Sequence, residues 1–222
     1  MHAQLHPQRP LDHERAVCEP WRAFPGRFVV VLPMPRPSDR EAFDLEVLVL
    51  QQADNGNTDR HRIESRLYEE SALSEDAIRI GELKVDTARY VLAPDARAFG
   101  LRVVRQGSSR ANPYPTETLS LYVPRGPKLA RVLDELDVAL ERGEWDTNCA
   151  GSFETVRGTL SVSKNGAHGG YADLVLRESR SESRSTQQGE DCVTHQRQDP
   201  PRSVVLRYDG ATYRATRAAA SD

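Results

Sequence analysis

The chain has 222 residues and a net charge of −3, with 38% hydrophobic and 28% charged side chains. That length suits one domain or two small ones sharing a core, and the apolar residues cluster into runs, which excludes a disordered chain. Near charge balance without a basic stripe argues against nucleic acid. No apolar run nears the roughly 18 residues of a membrane helix, so no membrane insertion is expected.

Residues 1–20 are rich in His, Pro and Gln and read as a disordered leader. They hold no apolar stretch behind a basic start, hence no secretory signal as the sequence stands. Residues 21–222 are expected to form a single β-rich domain. The run Phe28, Val29, Val30, Val31, Leu32 is strand-like, and Pro33, Pro35 and Pro37 are expected to close it. Phe43, Leu45, Val47 and Val49 then alternate with Asp44, Glu46 and Leu48, a strand with one wet face near its start. The Asp54-Asn55-Gly56-Asn57 stretch predicts a turn.

Further strand-like segments lie at 63–68, 78–85, 89–92, 99–105, 118–123, 152–163, 171–177, 204–208 and 212–215. The class predicted is all-β, mainly antiparallel: a propeller-like or sandwich array of hairpins. Leu129, Val132, Leu133, Leu136 and Leu140 recur at helical spacing, so 128–142 is either one short helix or two strands broken near Asp134 and Glu135. The hairpin context favours strands. Asp209-Gly210 predicts a two-residue hairpin turn.

After the N-terminal strands of 21–95, two units at 96–142 and 150–217 look related. Residues 99–105 (FGLRVVR) match 171–177 (YADLVLR), and each strand leads into a long polar loop, 106–117 and 178–201, and then a hairpin.

Catalytic signals are sparse. There is no Gly-x-Ser-x-Gly elbow, no His-Glu-x-x-His and no phosphate-cradling glycine loop. His61, His168 and His195 are scattered and read as surface residues. The acid pairs Glu144/Asp146 and Asp134/Glu135 read as solvated carboxylates. Cys149 and Cys192 flank a C-terminal segment without metal-ligand spacing, which fits a disulfide in an oxidising compartment and leaves Cys18 over.

Residues 165–174 (NGAHGGYADL) resemble the calcium-loop repeat of FG-GAP/VCBS-type propeller proteins. Asn165, Gly170, Asp173 and Leu174 match, but Ala167 and Gly169 stand where oxygen ligands belong. The resemblance therefore implies a degenerate loop, with weak calcium binding at most and no other cofactor.

More of the chain resembles a family of uncharacterised Gram-negative envelope proteins. The resemblance rests on Trp21 with 24–26 (FPG), 86–94 (DTARYVLAP), 97–104 (RAFGLRVV), 107–114 (GSSRANPY), 118–122 (TLSLY), 143–146 (GEWD), 149–151 (CAG) and 170–174 (GYADL). It implies a periplasmic location, and with it an oxidised Cys149–Cys192 pair. The function expected is a non-catalytic binding protein of the envelope, such as an inhibitor or immunity-type protein acting on another protein. An uncharacterised hydrolase or carbohydrate-active enzyme and a structural envelope protein are the alternatives. For recognition the 106–116 loop stands out: Tyr114 as a rigid anchor, Arg110 as a donor fork and Asn112 beside them, between stiffening prolines.

Overall fold

The computed structural model describes residues 1–54, 57–107, 109, 111 and 114–215. One short helix, α1 (His2–Leu5), precedes thirteen strands. These are β1 (Val17–Pro20), β2 (Arg27–Arg36), β3 (Asp39–Asp54), β4 (Asn57–Ser74), β5 (Ile78–Ala93), β6 (Ala96–Gly107) and β7 (Thr116–Arg125). They continue as β8 (Lys128–Trp145), β9 (Gly151–His168), β10 (Tyr171–Gln188), β11 (Asp191–Gln198), β12 (Arg202–Tyr208) and β13 (Tyr213–Ala215). The fold is all-β. Every strand pairing is antiparallel except one parallel bridge between β4 and β8, Arg66 to Lys128; β4 does not pair with β5, and both β11 and β12 pair with β10.

The apolar pattern stacks this sheet on itself. The middle strands β6 and β7 bury both faces, so they read as runs and not as alternation. One face carries Phe99, Leu101, Val103 and Tyr122 into a core with Val29, Val31, Leu45, Val47 and Val49 of β2 and β3. The other carries Ala98, Leu119, Leu121 and Val123 into a second core with Leu160 of β9, Leu174 and Leu176 of β10, and Leu206 of β12. The arrangement is a layered sandwich with β5–β8 between the first and last strands.

Bulges let strands of up to 18 residues bend around these cores. At Ser71 (φ 48°) the chain swings out and its N–H donates to Asp44. At Glu135 (φ 39°) the N–H donates to the Ser120 hydroxyl. Segment 128–142 is thus strand, and the expected break is a bulge within β8. The Asp54/Asn57 pair closes β3 on β4, while positions 55 and 56 lie outside the described residues.

Three expectations need correction. Of the closing prolines, Pro33 and Pro35 lie inside β2, which ends at Arg36 directly before Pro37. The Pro33 carbonyl accepts the Asp12 N–H, so the missing Pro33 donor falls on the side away from β3. The Asp209-Gly210 turn has four residues, since Tyr208 pairs with Tyr213 and Asp209 Oδ1 accepts the N–H groups of Ala211 and Thr212. The 178–201 stretch is no loop: it completes β10 and forms β11, so the two related units differ there.

The leader is also a correction. Met1, Leu5 and Leu11 of the leader pack onto the outer face of β2 and β3 against Val30, Leu32, Leu48 and Leu50, and Val17–Pro20 pairs with the edge of β2 as β1. On that face Asp44 and Glu46, the residues expected to be wet, are buried. Arg9 lies 2.8 Å from Asp44, His6 lies 2.8 Å from Glu46, and Arg15 lies 2.9 Å from Glu75. Buried carboxylates need partners of this kind, which gives a polar leader reason to stay down.

Acid should loosen the fold at these points. Burial alone would push the Asp44 carboxyl up, but the Ser71 N–H, Tyr68 hydroxyl and Arg9 guanidinium hold it below its ordinary value. Asp86 is lowered in the same way, burial being outweighed by the Ala88 N–H, Arg102 and Tyr90. Depressed carboxyls confer stability that is present above their unfolded value and lost as pH falls through the folded one. Urea midpoints should therefore hold between about pH 5 and 7 and drop below about pH 4. A midpoint already falling between pH 7 and 5 would contradict this.

Candidate functional site

The outer halves of β8 to β11 run past the second core. Glu141–Trp145 pairs antiparallel with 151–155 of β9, which pairs with 181–185 of β10, which pairs with β11. Ser181, Ser183 and Ser185 line one face beside Thr155, Phe153 and Gly151. The other face is a lattice of charges. Arg142 pairs with Glu154, Arg180 with Glu154 at 2.8 Å, and Arg197 with Glu182 at 3.1 Å. Exposed pairs of this sort contribute little each, so the covalent link matters. Cys149, in the turn between β8 and β9, is bonded to Cys192 of β11 with Cα atoms 5.7 Å apart, as expected.

Ala111 and Pro115 lie along the side of β8 opposite β9. Trp145 N–H donates to Ala111 O and Glu141 N–H to Pro115 O, both at 2.8 Å. Tyr114 lies back against Gly107, where a Cβ would stand 3.4 Å from the Tyr114 Cβ. The loop, the disulfide and the β10–β11 hairpin therefore meet at one end of the molecule, although they lie far apart in sequence.

That end holds an open cleft of about 630 Å³ lined by Ala111, Glu144, Trp145, Ser152, Arg184 and Thr186, among others. Among the described residues, the exposed large hydrophobic side chains are Tyr114 at 38% and Trp145 at 37%. Both belong to this region. Comparison with family models, curated proteins and solved structures found no match.

Of the expected recognition residues, Tyr114 is exposed but is not among the residues that line the cleft, whereas Arg110 and Asn112 lie outside the described residues. Trp145 was missed as a site residue. Its signal was an aromatic ending an otherwise polar strand, just before a turn.

Asp146 at the cleft serves the turn that follows it. Asp146 accepts the N–H groups of Asn148 at 2.9 Å and Cys149 at 2.8 Å, and the Asn148 bond first of all holds its carboxyl below the ordinary range. A general acid for hydrolysis needs the opposite shift. Asp134 pairs with Arg131 and Glu135 with Arg105 at the β8 bulge, each at 2.8 Å.

The calcium-like loop is a hairpin whose two-residue turn is Gly169-Gly170 (φ 59° and 90°). Asn165 is exposed, while Asp173 is buried and bonded to His168 at 2.7 Å. Among the described residues no group of three or more His, Cys, Asp or Glu side chains could hold a metal ion. His61 and His195 are exposed on β4 and β11.

Proposed function

We propose that this chain is a non-catalytic binding protein of the cell envelope, and that it takes another protein at the Trp145 cleft and the adjoining segment that carries Tyr114. The observation that carries the reading is exposed Trp145 lining the cleft, with exposed Tyr114 on the segment that supplies Ala111 to the same cleft and is joined to Trp145 by the Trp145–Ala111 hydrogen bond. Rigid aromatics at low entropic cost are the anchors that dominate interfaces. Arg184 and Glu144 add polar specificity around them. The envelope placement is supported by the Cys149–Cys192 bond, which persists in oxidising compartments, and by the family resemblance above.

The test is affinity capture from envelope extracts with oxidised protein as bait, followed by titration of the partner. Tyr114→Ala and Trp145→Ala should each weaken binding by about 30-fold, the effect of a typical hot spot. A stoichiometric partner indifferent to both variants would move the site elsewhere. Absence of any partner would overturn the binding reading.

A further inference from the structure

β11 is an open edge. Its eight residues pair with β10 from Gln188/Asp191 to Ser181/Gln198 without a register shift, and apart from Val193 they are exposed. β12 follows on the same side of β10 after Pro200 and Pro201, so it does not cover β11. Among the described residues nothing pairs with the outer side of β11. Natural edges are usually blunted by bulges, prolines or charged side chains. β11 has no bulge or proline, and its two charged residues, Asp191 and Arg197, are of opposite sign.

The direction of its backbone groups follows from one bond. Asp199 N–H donates to Arg180 O at 2.9 Å, and antiparallel ladders alternate bonded and non-bonded pairs. Arg197, His195 and Val193 therefore bond inward to β10. The N–H and C=O groups of Cys192, Thr194 and Gln196 point outward.

We propose that this edge pairs with β11 of a second copy of the chain, antiparallel about a two-fold axis through Thr194, continuing the sheet across a dimer. Bonds form only in registers that set outward residues opposite outward residues, so the axis must pass through a residue and not between two. With the axis at Thr194, Cys192 faces Gln196 of the second copy and Thr194 faces its equivalent. Asp191 then stands opposite Arg197 of the second copy, twice by symmetry, at positions where Cα atoms approach to about 4.5 Å. An axis at His195 would set Asp191 against Asp199 and His195 against itself. An axis at Val193 would leave Arg197 opposite the Gly189 turn. Charge complementarity selects the Thr194 register.

The edge is short, so the contact lies at the small, weak end of interfaces, with a Kd on the order of 100 µM. This association is independent of what the Trp145 cleft binds.

Sedimentation equilibrium of the full oxidised chain tests it. The wild type should show a monomer–dimer equilibrium. Gln196→Pro removes an outward N–H while sparing the bonds to β10 and should weaken the dimer at least about tenfold, whereas Gln196→Ala should not. Asp191→Arg and Arg197→Asp should each be monomeric alone, since like charges then oppose across the axis. Mixed together they should dimerise, because every facing pair regains opposite signs. Arg197→Asp also faces Glu182 and Asp199 within its own chain, so the mixture is the decisive arm, with urea midpoints confirming that each variant is folded. A wild type monomeric up to millimolar concentration, a dimer indifferent to Gln196→Pro, or a mixture that stays monomeric would overturn the proposal.

Discussion

Arg66→Met should destabilise the fold by about 3–5 kcal/mol, read from the urea midpoint and slope at pH 7. The Glu46 side chain has no exposed surface. It accepts two bonds from Arg66, at 2.9 and 2.6 Å, and lies 2.8 Å from the His6 ring nitrogen. Arg66 itself is 42% exposed and can be lost to water cheaply, so the cost falls on the carboxylate left behind. Removing one partner of a buried pair strands a charge, whereas removing both is close to neutral against apolar residues of similar volume. Glu46→Leu combined with Arg66→Met should therefore recover most of the loss. A single-variant cost under about 1 kcal/mol, typical of solvated pairs, would mean that water reaches Glu46 and the leader does not close over it.

That carboxylate also shows where the sequence is legible and where it is not. Period-two alternation in β3 identifies the strand and its apolar face, because Phe43, Leu45, Val47 and Val49 do enter the core. The opposite face looks wet because Asp44 and Glu46 are charged, and a leader of His, Pro and Arg looks unable to bury anything. Each reading is reasonable alone. Together they miss that Arg9 lies against Asp44 and the His6 ring against Glu46, so that the leader itself covers those acids, contacts across about 35 and 40 residues that no local pattern carries.

The β8 ambiguity has a similar origin. Register shifts against β7 at 131–133, 133–136 and 137–139 change the phase of the strand, so Val132, Leu133 and Val138 all reach one core at spacings that imitate a helix. At the site, Tyr114 was legible as an aromatic between prolines and turn residues. Trp145 gains its meaning only from Ala111, which reaches it through a backbone bond set by tertiary pairing.

Loss of the Cys149–Cys192 bond should cost up to about 4 kcal/mol, the loop-closure value for a separation of 43 residues. The effect should be uneven. The outer halves of β8 to β11 have no apolar core of their own and are held by exposed ion pairs, by backbone ladders and by this bond. Under reduction, amide exchange in 183–196 should therefore accelerate well before the buried strands β6 and β7 respond. Cys18 is exposed and unbonded, so one thiol should react in the oxidised chain and three after reduction.

Cys149 sits in the turn that follows Trp145, so the same loosening should lower affinity at the cleft. Cys149→Ser with Cys192→Ser should reproduce both effects without a reductant. A doubly substituted protein that kept its midpoint and its partner would show that the bond is dispensable, and the envelope reading would lose its main physical support. A protein that kept its midpoint but lost its partner would show instead that the disulfide serves to hold the recognition end in shape.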